Sequence, residues 1–114
     1  MIAPAQRRGL QGAFRALADP TRRDIVGLLS QREMTIAEVA GRFDITRAAV
    51  KKHLTILEEG EVISVHRRGR ERLNRLRPEG LKSAADWLQH FSHFWDDKLA
   101  ALRDVAEKEE KRDD

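Results

Sequence analysis

Residues 35–60 have the sequence TIAEVAGRFDITRAAVKKHLTILEEG, and the central motif of the fold can be predicted from them. Thr35 and Glu38 have the spacing of a capping box, in which a hydroxyl and a carboxylate each bind a free amide at the start of a helix. Apolar residues then recur at helical spacing over residues 36–43, which indicates one buried face. The first half of the stretch is therefore predicted to be a short, capped helix.

The second half of the stretch predicts a turn and a basic helix. Residues 44–46 interrupt the apolar pattern; Asp44 can adopt a left-handed turn conformation, and Thr46 can cap the helix that follows. That helix is expected over residues 47–59, apolar on one face and basic on the other, with Gly60 at its end. Two short helices joined by such a turn form a helix-turn-helix.

The flanking segments extend this motif to a winged helix-turn-helix. Two helices are expected before it, and a β-hairpin and a long helix after it, over residues 10–18, 20–30, 62–65 with 71–77, and 79–106. We therefore predict a mainly α fold with a small β-hairpin wing and a long C-terminal dimerisation helix. The predicted organisation is a flexible N-terminal arm, one winged helix-turn-helix domain and a charged C-terminal tail, over residues 1–9, 10–106 and 107–114.

The composition narrows the possible functions. The chain has 114 residues, the size of one compact domain, and a formal net charge of +3. Residues 66–77 contain six arginines and one glutamate, which favours a nucleic-acid surface. The absence of cysteine excludes disulfides and thiolate metal sites. No apolar run approaches the ~18 residues of a membrane span, and there is no signal-peptide core, so a cytoplasmic protein without membrane contact is expected.

A helix-turn-helix places its second helix in the major groove of duplex DNA, where side chains reach base edges and phosphates. Arg47 is expected to bind a guanine through its guanidinium fork, and Ala48 to touch a thymine methyl. The wing arginines are expected to meet phosphates or enter the minor groove, although a solvated charged hairpin would have the same pattern. The predicted DNA-binding residues are Thr46, Arg47, Ala48, Lys51, Lys52, Thr55, Arg67, Arg68, Arg70 and Arg72.

Three segments of the chain resemble the ArsR-type winged-helix repressors. They are FRALADPTRRDIV at residues 14–26, AAVKKHLTIL at residues 48–57 and RGRER at residues 68–72. The similarity extends over residues 14–99, and residues 87–99 are similar to the branch without thiolate metal sites, which includes small autorepressors. The resemblance implies a homodimer that binds operator DNA.

The sequence departs from the family's pattern at three places. Asp44 stands where the family often has glycine in the turn, so a slightly strained turn is expected. Glu61 stands where the family usually has the glycine that follows the recognition helix, which leaves the path into the wing open. Thr35 and Ala37 stand where metal-sensing members have cysteines. A thiolate metal sensor is therefore excluded, and no cofactor is expected.

The last predicted helix has more large apolar side chains than one small core can hide, among them Trp87 and Phe94. They could complete the core of the monomer, but dimerisation through the first and last helices accounts for them better. The expected interface residues are Phe14, Leu88, Phe91, Trp95, Leu99 and Leu102. A dimer would hold two recognition helices about one DNA turn (~34 Å) apart, which matches a pseudo-palindromic operator.

Four polar residues on the same helix raise the alternative of a zinc site. Asp86, His90, His93 and Asp97 recur at i, i+4, i+7 and i+11, and zinc accepts histidine and carboxylate ligands. The resemblance supports only half of such a site, because only His90 and His93 match one of the two ligand pairs that the family places across its last helices. A solvated polar face, with no metal, is the favoured interpretation.

These patterns predict a sequence-specific DNA-binding transcriptional regulator, a repressor or autorepressor that binds its operator as a homodimer. The alternative is a winged-helix protein-interaction module without sequence preference on DNA. An enzyme is not expected, because the chain lacks cysteine, tyrosine, a glycine-rich phosphate loop and a convincing carboxylate pair. A small-molecule effector bound between the last helices and regulation without any ligand both stay open.

Overall fold

A computed structural model describes residues 4–113, with side chains described for residues 7–110. The elements in chain order are α1 (Pro4–Leu17), α2 (Pro20–Leu29), α3 (Ile36–Ala40), α4 (Arg47–Glu59), β1 (Ile63–Arg68), β2 (Glu71–Leu76), α5 (Pro78–Gln89) and α6 (Ser92–Asp113). The fold is mainly helical with one antiparallel hairpin, which confirms the winged helix-turn-helix. None of the described helices is both long and apolar enough to cross a membrane.

The helices before the wing begin at the caps that the sequence predicts. The Asp19 carboxylate accepts a hydrogen bond from the Arg22 amide at 3.1 Å, and this bond holds the pKa of Asp19 below its usual range. At α3, the Thr35 hydroxyl accepts from the Glu38 amide at 3.2 Å, and the Glu38 carboxylate accepts from the Thr35 amide at 3.1 Å. Each bond satisfies an amide that has no partner inside its own helix.

The chain divides into two compact units, one ending at Ala84 and one beginning at Ala85. The largest fully buried side chains belong to the first unit: Ile25, Met34, Val39, Val50, Leu57, Val62 and Ile63. α4 contributes its buried residues from one face only, because Val50, Leu54 and Leu57 lie at helical spacing. The opposite, basic face of α4 is therefore held towards solvent.

The exit from α4 contains a strained residue. α4 ends at Glu59, as predicted, and Gly60 lies so close to Gly12 of α1 that a Cβ atom on Gly60 would be 2.5 Å from the Gly12 carbonyl oxygen. Glu61 follows with φ of 58°, in the left-handed region that favours glycine. This is the position where the family resemblance places a glycine. A side-chain-bearing residue costs roughly 1–2 kcal/mol in this conformation.

The strain expected at Asp44 is absent. Among the non-glycine residues that the structure describes, Glu61 alone has a positive φ, so Asp44 does not adopt the left-handed conformation. The helix predicted over residues 36–43 ends instead at Ala40. The amides of Arg42 and Phe43 bond to carbonyls three residues earlier, at 3.0 and 3.2 Å. These tight turns bring the chain into α4 without a left-handed residue.

The hairpin is paired on both sides of its second strand. β1 and β2 are in continuous antiparallel register from Ile63 opposite Leu76 to Arg68 opposite Glu71, so β1 extends beyond its predicted end. On the other side of β2, Met34 forms an isolated bridge with Asn74. The Met34 amide donates to the Asn74 carbonyl at 3.1 Å, and the Asn74 amide donates to the Met34 carbonyl at 2.7 Å.

The first helix begins earlier than predicted. α1 starts at Pro4, so residues 4–9, which were expected to belong to a flexible arm, are helical. Proline is tolerated in the first turn of a helix, because the amide it lacks would have no partner there. Residues 1–3 of the expected arm lie outside the described residues.

The long C-terminal helix is present as α6, but the single helix predicted over residues 79–106 is wrong. His90 and Phe91 interrupt it, and their amides bond to the carbonyls of Trp87 and Leu88, three residues earlier, at 3.2 and 3.1 Å. These bonds replace the four-residue spacing of an α-helix and close a tight turn. α6 then continues to Asp113, so the predicted charged tail is helical up to that residue.

Glu61→Gly is expected to raise the free energy of unfolding by about 0.5–1 kcal/mol. The substitution removes the left-handed penalty, offset in part by the greater backbone entropy of glycine in the unfolded chain. The ion pair that is lost, between Glu61 and Arg77 at 3.7 Å, is exposed and contributes little. Urea denaturation followed by circular dichroism measures the change. Glu58→Gly, inside α4, is the control and should cost about 1 kcal/mol; a loss of stability in both variants would contradict strain at Glu61.

Candidate nucleic-acid interface

An open groove lies between α4 and the wing. Its lining residues come from the start of α3, from α4 and from both strands: Ile36, Arg47, Ala48, Lys51, Leu54, Thr55, Glu58, Val65, Arg72 and Asn74. Four residues predicted from the recognition helix and one from the wing thus meet at a single concave surface. Lys52, also predicted, is exposed on α4 and lines a shallower depression on the side that faces Arg15 of α1.

The basic side chains of α4 are free to bind an anion. Arg47, Lys51 and Lys52 are exposed, and none of them forms an ion pair with another described residue. Glu58, the second-last residue of α4, is the acidic residue that lines the groove. The groove is therefore positive at the N-terminal end of α4, where a recognition helix reaches the bases.

The two predicted threonines use their hydroxyls within α4 itself. The Thr46 hydroxyl accepts a hydrogen bond from the Ala49 amide at 3.1 Å and caps the helix. The Thr55 hydroxyl donates to the Lys51 carbonyl at 2.9 Å. Each oxygen keeps acceptor capacity, but phosphate contacts need a donor, and the Thr55 hydrogen is already engaged. DNA contacts from Thr46 and Thr55 stay predictions.

The strand register divides the wing arginines between two faces. Residues directly opposite each other in an antiparallel pair share a face, and successive residues alternate between faces. Arg67 pairs with Arg72, so both lie on the face whose Val65 and Asn74 line the groove. Arg70 lies in the turn beside Gly69, whose φ of 62° makes the tight reversal possible.

Arg68 lies on the opposite face and has a partner that sequence reasoning missed. Its Nη2 atom donates to Glu33 Oε1 at 2.7 Å, and Arg75 Nε donates to the other oxygen, Oε2, at 3.0 Å. These two bonds hold the pKa of Glu33 below its usual range, and the bond from Arg75 contributes most. Because Glu33 is 35 and 42 positions away from these arginines, no local spacing in the sequence indicates the contact. DNA binding by Arg68 stays a prediction.

Asn74 is a second residue that sequence reasoning missed. It is 5% exposed, and its Nδ2 atom donates to the Met34 carbonyl at 3.2 Å, beside the backbone bridge between the same two residues. A buried amide is costly unless it is hydrogen-bonded, so the side chain is tied to this position. Met34 immediately precedes the cap of α3, and the base of the wing is thereby attached to the start of the helix-turn-helix.

On its other side, α4 contacts the junction of α1 and α2 through His53. Arg22 donates to the carbonyls of Ala16 and Arg15, both at 2.8 Å, and so satisfies the C-terminal end of α1. Its Nη1 atom lies 3.4 Å from His53 Nδ1, which in turn lies 3.9 Å from the Asp19 carboxylate. His53 is packed towards these residues instead of facing the groove.

Comparison with known proteins agrees with this geometry. A family model described as a helix-turn-helix domain matches residues 17–66. The transcriptional repressor SdpR of Bacillus subtilis (strain 168) is 36% identical over 90 residues, which cover 79% of this chain and 100% of that protein. The crystal structure of an ArsR family transcriptional regulator has 36% identity and a TM-score of 0.70, and the match covers 77% of this chain and 97% of that one. The chain belongs to the ArsR family of DNA-binding transcriptional regulators.

A further family structure matches a larger share of the chain. An ArsR-like transcriptional regulator from Rhodococcus sp. RHA1 is 31% identical with a TM-score of 0.68, and the match covers 86% of this chain and 92% of that chain. Thr35, which the resemblance places at a cysteine position of metal-sensing members, is the N-cap of α3 in this chain.

The second unit of this ArsR-family member exposes a set of large apolar side chains. Five of the six predicted interface residues belong to it, and they are 41–66% exposed: Leu88, Phe91, Trp95, Leu99 and Leu102. The rings of Trp87 and Phe91 lie 5.0 Å apart, and those of Phe94 and Trp95 lie 5.8 Å apart. The sixth predicted residue, Phe14, is partly buried against the core of the first unit.

The four polar residues considered for zinc are not brought together. Among the described residues, no group of three or more histidine and acidic side chains is placed to hold a metal ion. The reason is the break at His90 and Phe91, because the predicted stripe of Asp86, His90, His93 and Asp97 requires one uninterrupted helix. Within one chain these residues do not form a zinc site, and zinc binding between two chains stays a prediction.

Proposed function

We propose that this ArsR-family regulator represses transcription by binding a pseudo-palindromic operator as a homodimer, and that its own promoter is a target. The observation that carries the proposal is the groove between α4 and the wing, where Arg47, Lys51 and Arg72 converge without an acidic partner among the described residues. A relative named as a transcriptional repressor matches 79% of this chain over 100% of its own length, which supports repression.

The proposed reading of DNA follows from the position of each side chain on α4. Arg47 is in the first turn, where a guanidinium fork can donate to O6 and N7 of guanine, and Ala48 beside it can contact a thymine methyl. Lys51, one turn later, reaches a base or a phosphate. Lys52 and the wing arginines 67, 70 and 72 meet phosphates on either side, which sets the register of the protein on the duplex.

The proposed dimer interface is the exposed apolar surface of the second unit. Trp95, Leu99 and Leu102 recur at helical spacing along α6, and each is more than half exposed. Exposed apolar surfaces of this kind mark sites of association. In a two-fold symmetric dimer the same surface of each copy packs against its counterpart, so a second copy of the chain is the proposed partner. Two copies related by a two-fold axis would present two recognition helices to the two halves of a palindrome.

Fluorescence anisotropy tests the proposal directly. The full chain is titrated against a labelled duplex from upstream of its own gene and against a scrambled duplex, each at two salt concentrations. A preference of ~10³ or more for the upstream duplex supports a sequence-specific autorepressor. Equal, salt-sensitive binding to both duplexes contradicts autorepression, and no binding to either favours a protein-interaction module instead.

Arg47→Ala is expected to weaken binding to the operator by about 1–3 kcal/mol and to relax the preference at one base pair. Lys52→Ala is the matched control, because it removes an exposed cation from the same helix without removing a base contact. It should weaken all duplexes alike and reduce the slope of log K against log salt by about one. The measurement is anisotropy on the operator and its single-base variants; an unchanged base preference in Arg47→Ala would refute the proposed base contact.

Trp95→Glu is expected to convert the dimer to a monomer, since a carboxylate buried at an apolar interface has no partner there. Sedimentation equilibrium measures the mass of each variant in solution. Arg103→Glu, an exposed change on the same helix outside the apolar set, is the control and should remain dimeric. If Trp95→Glu sediments as the wild type does, the interface lies elsewhere.

A further inference from the structure

Two arginines of the wing share one carboxylate outside the groove. Glu33 lies in the connection between α2 and α3, and its two oxygens accept separately from Arg68 and Arg75 at 2.7 and 3.0 Å. The Glu33 side chain is 22% exposed, whereas the arginine side chains are 71% and 55% exposed. The carboxylate is thus the least accessible member of the group, and the arginines reach towards it from the strand pair.

Glu33 is held in place by its neighbour. Met34 is 1% exposed and forms the backbone bridge with Asn74, whose side chain also donates to the Met34 carbonyl. Because the chain is fixed at the very next residue, Glu33 cannot follow an arginine that moves towards another anion. The pairing therefore competes with any phosphate for the Arg68 and Arg75 guanidinium groups.

Three other arginines of the wing have no carboxylate partner of this kind among the described residues. Arg67, Arg70 and Arg72 are exposed and form no ion pair with any residue in the described part of the chain. Arg68 and Arg70 are two positions apart on the same hairpin end, and both are exposed. The wing thus contains arginines of two kinds: these three, which have no ion pair among the described residues, and Arg68 and Arg75, which share the Glu33 carboxylate.

We propose that Glu33 is a specificity-determining residue, which withholds Arg68 and Arg75 from the phosphates of non-operator DNA. The inference rests on DNA binding by the groove, as proposed above. Phosphate contacts contribute affinity without sequence information, and nearly all non-specific binding comes from them. Pairing two wing arginines with one carboxylate lowers that sequence-independent term and leaves the base contacts of α4 unchanged. Those base contacts fix the register of the protein on the operator, whereas on other DNA the wing can shift to bring free arginines to phosphates. The pairing therefore lowers non-specific binding more than operator binding.

The charge state of Glu33 is suited to this role. The hydrogen bond from Arg75, together with the charges of both arginines, holds the pKa of Glu33 below its usual range. The carboxylate therefore stays ionised throughout the neutral range, and the pairing does not act as a pH switch there. Salt weakens it only in part, because the closest atoms are in hydrogen-bond contact.

The test is a salt titration of Glu33→Gln on the scrambled duplex. Freeing Arg68 is expected to steepen the slope of log K against log salt by about 0.9 for each phosphate gained. Affinity for the scrambled duplex at low salt should rise roughly three- to tenfold, while operator affinity changes less. Thermal melting by circular dichroism confirms that the variant is folded at the temperature of the titration.

Glu71→Gln is the matched control for net charge. Glu71 is the register partner of Arg68 in the hairpin and is exposed, but it forms no ion pair with another described residue. Its replacement removes the same charge from the same neighbourhood without releasing an arginine, so the salt slope should not change. The double variant Glu33→Gln with Arg68→Ala should keep only the increase in slope that Arg75 contributes, and adding Arg75→Ala should return the slope to that of the wild type.

Arg68→Ala and Arg70→Ala, made singly, form a second comparison. Arg70→Ala is expected to reduce the salt slope by about 0.9, whereas Arg68→Ala should leave it unchanged as long as Glu33 is present. This comparison does not depend on Glu33→Gln folding normally. Equal losses of slope in the two variants would overturn the proposal, because Arg68 would then already contact phosphate in the wild type.

The outcome separates this inference from the proposed function. If the wild type binds the upstream and scrambled duplexes alike, the proposed operator is contradicted. A steeper salt slope in Glu33→Gln would still show that Glu33 withholds arginines from phosphates. A wild type that prefers the upstream duplex, with an unchanged slope in Glu33→Gln, overturns the inference alone. If the wild type binds neither duplex, elution from a heparin column decides: Glu33→Gln must elute at higher salt than both wild type and Glu71→Gln, and equal elution overturns the inference.

Discussion

The backbone of Met34 forms two hydrogen bonds with that of Asn74. This bridge holds the segment before α3 against β2, the second strand of the wing. The hairpin is consequently attached to the helix-turn-helix at its base as well as through the chain that leaves α4. A two-stranded hairpin alone is marginally stable in water. A contact between residues forty positions apart therefore helps to hold the hairpin beside Arg47 and Lys51.

The other attachment of the wing, at the exit of α4, is built from close backbone contacts. Gly60 leaves no room for a Cβ atom beside Gly12, and a Cβ atom on Gly80 would overlap the carbonyl of Glu61. Glu61 lies between these contacts and adopts a left-handed conformation that glycine would adopt at lower cost. The turn from the recognition helix into the wing thus takes only three residues, and one of them is strained.

The basic and the apolar surfaces belong to different compact units. The groove is made of residues 36–74, whereas the exposed aromatic and leucine side chains follow Ala84. Contacts with phosphates are polar and weakened by salt, and association through apolar surface is not. The proposed dimer can therefore persist at a salt concentration that releases DNA, because salt weakens the phosphate contacts and not the apolar association.

The elements of the helix-turn-helix and the basic face of its second helix could be predicted from local spacing. The capping box at Thr35 and Glu38 and the basic face beginning at Arg47 depend on residues three or four apart, a spacing that helical geometry sets. The pairing of Arg68 with Glu33 and the break of the last helix at His90 could be seen only in the folded chain. The first is a contact across 35 residues. The second is a tight turn within a segment whose apolar residues keep helical spacing. Periodicity alone cannot distinguish such a turn from a straight helix.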